Sequence, residues 1–149
     1  MNIEEAIKSI HKMGLTTKTV VNLMYTSRVV EEHIARVFKE YELSTQQYNV
    51  LRILRGQKGN PANLSTIQER MVDRSSNATR LVDKLLKKGW AKRRVCPENR
   101  RKVEITITES GLDLLKTLDP ITEENNKNIL SNLTTSELET LNDLLDKLK

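Results

Sequence analysis

Twelve basic side chains crowd residues 62 to 102, and only four acidic ones, Glu69, Asp73, Asp83 and Glu98, accompany them. The segment therefore carries a net +8, while the whole 149-residue chain carries +5, leaving −3 for everything else. Cations gathered at one place in a chain with slightly acidic flanks suit a polyanionic partner, although charge alone fits a solvated surface equally well. The residue types between and around these charges say more. Ser75, Ser76, Asn77 and Thr79 are small and polar and lie just ahead of or beside Arg80 and Lys84. An arginine fork matches the acceptor pair of guanine, and an asparagine amide matches the edge of adenine. Lys84 suits a backbone phosphate. Farther on, Lys92, Arg93 and Arg94 precede a polar run that ends in Arg100 and Arg101. Guanidinium groups of that kind suit a narrow minor groove with its strong negative potential.

Other chemistry is poorly supplied. The one cysteine, Cys96, allows no internal disulfide, and with His11 and His33 far apart it cannot build a zinc shell. A thiol without a function is the simpler reading of Cys96, even with arginines nearby. Neighbouring carboxylates such as Glu31–Glu32 and Glu123–Glu124 diverge on a helix and do not share a proton. No nucleophile elbow, phosphate loop, dinucleotide fingerprint or metal-binding helix occurs. The expectation is a protein with no catalytic residues, no metal and no cofactor.

The elements that must carry the basic residues follow from periodicity. Ile3, Ile7 and Ile10 mark a first helix over residues 3 to 13, stopped by Gly14. Thr16 or Thr17 caps a long second helix whose stripe runs through Val20, Leu23, Ser27, Val30, Ile34, Val37 and Tyr41. So long an amphipathic arm in a small chain packs against something outside its own core, usually a second subunit. Ser44 to Gln47 reads as a capping box, opening a helix with Tyr48, Leu51 and Leu54 inward. Asn63 caps a short helix with Leu64, Ile67 and Met71, and Ser75 or Ser76 starts the next, ending at Gly89. The buried face of that second short helix is Ala78, Leu81, Val82 and Leu85.

Period two then takes over. Val103, Ile105 and Ile107 alternate with polar residues, so Lys92 to Thr108 reads as a hairpin tipped by Cys96 to Arg101. Thr108 caps a helix with Leu112, Leu115 and Leu118, which Pro120 should kink or interrupt. Thr134 to Glu137 is a second capping box, opening a helix with Leu138, Leu141, Leu145 and Leu148 on one side. Tyr25, Phe38, Tyr41, Tyr48 and Trp90 are assigned mainly to packing, with an effector pocket as the alternative. No apolar run is long enough to span a bilayer, and the acidic start Met1 to Glu5 does not resemble a secretory leader, so a cytoplasmic protein is expected.

Two short helices, a turn and a basic hairpin in that order make a winged helix-turn-helix. From Leu43 to Gly111 the chain resembles the MarR family of winged helix-turn-helix regulators. The resemblance rests on Leu43 to Tyr48, Asp73 to Leu85, Lys88 to Arg93, Pro97 to Arg101 and Ile105 to Gly111. It implies a homodimer on a pseudo-palindromic site, usually repressing transcription until a small ligand or an oxidant loosens it. It also implies that the helix from Ser75 reads the major groove and that Arg100 or Arg101 enters the minor groove. The family commonly has aspartate where this chain has Asn99, so the support of the wing arginine differs here. Sensing cysteines of the family lie in the N-terminal helices, where this chain has none.

The sequence therefore predicts a mostly α (α+β) single domain over 1–149. Residues 1–42 and 109–149 are read as dimerisation helices and 43–108 as the DNA-binding lobe. The expected DNA contacts are Ser75, Ser76, Asn77, Thr79, Arg80, Lys84, Arg94, Arg100 and Arg101. The expected partners are double-stranded DNA, a second copy and a small-molecule effector, with no membrane. A winged-helix protein-interaction module and a sequence-blind DNA-binding protein are the alternatives.

Overall fold

The computed structural model describes residues 1–149 as seven helices and one small sheet. In chain order these are α1 (Ile3–Ala6), α2 (Leu15–Lys39), α3 (Thr45–Gly56), α4 (Leu64–Arg70) and α5 (Ala78–Lys87). Strands β1 (Ala91–Val95) and β2 (Val103–Ile107), then α6 (Glu109–Ile129) and α7 (Thr135–Asp146), complete it. The chain divides into two compact units, Ala35–Glu123 and Met1–Ile34 with Glu124–Lys149. The fold is the mostly helical winged helix that the sequence predicts.

In the unit of residues 35–123, helix starts are set by side chains. Ser44 Oγ accepts the Gln47 N–H at 3.0 Å while Gln47 Oε1 accepts the Ser44 N–H at 3.1 Å, the reciprocal box expected there. Asn63 caps α4 through the Thr66 N–H at 2.7 Å. Helices of seven and ten residues such as α4 and α5 are too short to persist alone, so these caps and burial must hold them. The core is Val50, Leu51 and Leu54 of α3, Ile67 of α4, Val82 and Leu85 of α5, Ile105 of β2, and Leu115 and Leu118 of α6. Phe38, at the end of α2, is also fully enclosed and lies 4.3 Å from the Tyr48 ring, centroid to centroid.

The strands pair antiparallel from Ala91 opposite Ile107 to Val95 opposite Val103. Ile105 also exchanges both backbone hydrogen bonds with Ala62, at 2.9 and 2.8 Å, which ties the linker before α4 to the wing. One residue has no period, so this bridge leaves no trace in the sequence. Gly89 adopts φ +74° after α5, the left-handed stop expected of it. Gly111 is required for a different reason. A Cβ there would stand 2.7 Å from Ile107 Cγ1 and closer still to the Trp90 carbonyl oxygen.

In the unit of residues 1–34 and 124–149 the first helix is a single turn, ending at Ala6, and not an element reaching residue 13. Its Asn2–Glu5 capping box closes so short a helix that Lys8 is already left-handed, at φ 54°. Helix α2 begins at Leu15, ahead of Thr16 and Thr17, so neither threonine is its cap. The stripe expected of its N-terminal half is exposed at Val20 and Leu23, and the one expected of the last helix is exposed at Leu141 and Leu148 and half-buried at Leu138 and Leu145. In this unit only Ile3 is buried, while Leu15 is 80% exposed, Leu144 53% and Leu148 69%.

Three expectations need correction inside the longer elements. Helix α5 starts at Ala78, not at Ser75 or Ser76, because Asn77 is its cap. Helix α6 runs unbroken from Glu109 to Ile129 with Pro120 inside it. Pro120 therefore does not interrupt α6. Leu112 lies on the exposed side of α6, while Leu115 and Leu118 are buried.

Candidate nucleic-acid interface

The α4–turn–α5 segment is the part of the 35–123 unit built to present polar groups. Its turn, Met71 to Asn77, is stitched by side-chain amides and one carboxylate. Asn49 Oδ1 of α3 accepts the Val72 N–H at 2.8 Å. Asp73 Oδ1 accepts both the Ser75 N–H at 3.0 Å and the Ser75 hydroxyl at 2.6 Å, a side-chain turn typical of aspartate. Gln68 of α4 donates through Nε2 to the Ser76 carbonyl at 2.7 Å and accepts the Ala78 N–H through Oε1 at 3.1 Å. Asn77 Oδ1 then accepts the Arg80 N–H at 3.1 Å.

This accounting separates the residues singled out from the sequence. Ser75 spends its hydroxyl on Asp73, and the Ser76 hydroxyl is enclosed without a hydrogen-bond partner. The Asn77 carbonyl oxygen is taken by the helix cap. All three lie ahead of α5, which begins at Ala78; Ser75 and Asn77 are exposed and Ser76 is half-buried. Thr79, Arg80 and Lys84 are exposed, opposite Ala78, Val82 and Leu85, which are buried. Both features follow from the sharp two-sidedness of this ten-residue helix.

The wing starts where α5 stops. Lys88 Nζ lies 4.9 Å above the Trp90 ring centroid and donates to the Glu42 carbonyl, so this lysine closes the end of α5. Arg93 Nη1 approaches Asp83 Oδ1 of α5 at 3.5 Å, placing the first strand beside the helix. Arg94 Nε bonds Glu104 Oε2 at 2.5 Å across the hairpin, between residues that the register sets opposite. Arg94 is therefore engaged within the wing while still largely exposed.

At the tip the Cys96 N–H bonds the Lys102 carbonyl and the Lys102 N–H bonds the Asn99 carbonyl, both at 2.9 Å. Asn99 Oδ1 accepts the Arg101 N–H at 3.1 Å. Asn99 thus shapes the turn through the backbone of Arg101, with no contact to a guanidinium, and a neutral amide oxygen suffices for that task. Arg100 and Arg101 are exposed at the end of the loop. Cys96 is half-buried at its base and unpaired. Elsewhere in the unit, the bidentate partner Asp119 raises the Arg55 guanidinium above its already high value, against partial desolvation.

The residues that sequence reading missed are Gln68 and Asn49. Each is polar, so neither contributes to a hydrophobic period, and their partners are backbone atoms that any residue carries. Only the approach of α4 and α3 to the turn reveals them.

Comparison with known proteins agrees with this architecture. The sequence model described as MarR family matches residues 43–103. The chain is 29% identical over 129 residues to the HTH-type transcriptional regulator PecS of Dickeya dadantii, covering 85% of this chain and 77% of that protein. Among solved structures, a MarR transcription factor from Planctomyces limnophilus is 33% identical, with a TM-score of 0.72 over 91% of this chain and 98% of that one. A mutant MarR from E. coli complexed with operator DNA shares the fold at a TM-score of 0.77 and 20% identity, over 91% and 99% of the two chains. No helix is long and apolar enough to cross a membrane. The chain belongs to the MarR family of winged helix-turn-helix, DNA-binding transcriptional regulators, which are not enzymes.

Proposed function

We propose that this chain is a homodimeric, sequence-specific repressor, acting in the cytoplasm on a pseudo-palindromic operator and released by a small-molecule effector. The observation that carries the reading is the pairing of one exposed recognition face with one exposed basic tip. Thr79, Arg80 and Lys84 stand out from α5 with its other face buried, and Arg100 and Arg101 end the wing that follows. Thr79 and Arg80 meet base edges in the major groove, Lys84 meets phosphate, and Arg100 or Arg101 probes the minor groove. Ser75, Ser76 and Asn77 form the turn that leads into α5, and Arg94 lends positive charge beside Glu104.

The dimer is supported by the unit of residues 1–34 and 124–149, which leaves Leu15, Val20 and Leu23 of α2 and Leu141 and Leu144 of α7 exposed to water. Large exposed apolar surface on a small chain marks an interface. A second copy would place two recognition helices on half-sites about one helical turn apart. The E. coli relative complexed with operator DNA shares the fold that this arrangement requires. On this reading residues 1–42 and 109–149 supply the dimer arms and 43–108 the DNA-binding lobe, all one domain.

The test is binding of the purified chain to the duplex upstream of its own gene against a scrambled duplex, over a salt series. Preference for the native duplex with a steep salt slope supports an operator-binding dimer. Equal affinity for both supports a sequence-blind protein, and negligible affinity for both supports a protein-interaction module.

A further inference from the structure

Between the buried Met71 and Ala78, the turn that leads into α5 has no buried side chain. Val72, Asp73, Arg74 and Ser75 are exposed, and the Ser76 hydroxyl finds no partner. Asn49 and Gln46 of α3 hold the turn at Val72 and Asp73, and the group that holds the start of α5 itself is the primary amide of Gln68. It donates to the Ser76 carbonyl at 2.7 Å and accepts from the Ala78 N–H at 3.1 Å, straddling the cap residue Asn77. Two bonds of opposite sense from one planar group fix both the position and the rotation of what they hold. A carboxylate in its place can only accept, an ammonium can only donate, and an asparagine is one methylene shorter. Ala78 is the first residue of α5, and Arg80 is two residues on.

The same bonds change what the helix start can do. The Ala78 N–H goes to Gln68 and the Arg80 N–H to Asn77. Two of the orphan amides that would attract a phosphate at a helix N-terminus are therefore spent internally. The start of α5 is a mounting point, and recognition falls to side chains beyond it.

We propose that Gln68 is a positioning residue for operator discrimination: its amide sets the rotation of α5 at which Thr79 and Arg80 meet the base edges. The proposal rests on the reading that α5 reads DNA. It assigns sequence preference to a residue that makes no contact with the duplex. Base-edge hydrogen bonds are directional, whereas phosphate contacts tolerate small displacements. Loosening α5 therefore erodes preference before it erodes general affinity.

The experiment uses the full chain. Wild-type protein first selects duplexes from a random-sequence library. Wild type and Gln68→Met, which keeps length but loses both bonds, are then titrated against the best selected duplex and a scrambled one over a salt series, with thermal melting alongside. The expected result is a fall of about tenfold in the selected-to-scrambled affinity ratio, with scrambled affinity and salt slope unchanged. An unchanged ratio, or a parallel loss on both duplexes, overturns the proposal, since either marks a merely structural glutamine. If Gln68→Met does not fold, Gln68→Glu retains the acceptor for the Ala78 N–H, removes the donor to Ser76 and is read the same way. Failure of the wild type to enrich any sequence overturns the DNA-reading role itself, whereas enrichment by wild type with an unaltered variant ratio overturns only the role of Gln68.

Discussion

The guanidinium of Arg55 grips the carboxylate of Asp119 through two parallel hydrogen bonds, Nη1 to Oδ2 at 2.9 Å and Nη2 to Oδ1 at 3.0 Å. The pair fastens α3, on which the helix-turn-helix is built, to α6, one residue before Pro120. Both side chains are partly exposed, so solvent screens the attraction, yet the forked geometry is the favourable one for such a pair. Asp119→Asn should cost about 1 kcal/mol of unfolding free energy, with the deficit shrinking in high salt. Urea denaturation of Asp119→Asn, Arg55→Met and the double variant checks this through the coupling between them. Additive losses would mean that the two groups do not act as a pair.

Gly111 sits where a methyl group has no room. Gly111→Ala drives a Cβ into the Trp90 carbonyl and Ile107, both held by the hairpin and its junction with α6. The strain should cost about 1 to 3 kcal/mol. A melting temperature within a degree of wild type would show that the junction yields at no cost.

Arg80→Ala should lower affinity for the preferred duplex by about 1 to 3 kcal/mol and flatten preference at one base position. Arg100→Ala combined with Arg101→Ala should instead weaken binding most where the minor groove is narrow. Competition binding with single-base variants of the selected duplex distinguishes the two. Equal losses on every sequence for Arg80→Ala would assign it to phosphate.

The apolar side of α7 offers a test of assembly. Leu144→Glu with Leu148→Glu places two charges on side chains that no part of the chain buries. Sedimentation should show a shift from dimer to monomer, accompanied by loss of DNA binding. An unchanged mass would exclude Leu144 and Leu148 from the proposed dimer interface.

Glu137 carries a pH signature. The Thr134 backbone N–H donates to its carboxylate, and the Thr134 side chain adds to this, so its pKa lies below the ordinary carboxylate value. A depressed pKa in the folded state means that the contribution is complete above the ordinary carboxylate range and disappears as pH falls through the depressed value. Carbon-detected NMR titration should find Glu137 ionised to lower pH than a free glutamate. Titration at the ordinary value would show the capping box frayed in solution.

Much of this molecule is legible in one dimension because its signals are local. Ser44 with Gln47 and Thr134 with Glu137 satisfy backbone donors three residues away, so pairs of residue types suffice to mark those helix starts. The alternation of Val103, Ile105 and Ile107 marks a strand for the same reason, and the +8 of residues 62–102 needs only counting. Sequence by itself thereby determined the order of elements, the winged helix-turn-helix and its family, and the exposure of Arg80 on a helix whose other face is apolar.

Tertiary structure decided where α5 begins and what its first residues are for. Three polar residues in a row, Ser75, Ser76 and Asn77, are each acceptable as a helix cap, so local chemistry leaves the start degenerate. The choice falls on Asn77 in a turn where Gln68, brought near by the packing of α4, takes the Ser76 carbonyl and the Ala78 N–H. The Ala62–Ile105 bridge and the Arg55–Asp119 fork have the same origin, joining residues 43 and 64 positions apart. Contacts of that span depend on how the whole core closes, and no window of sequence contains both partners.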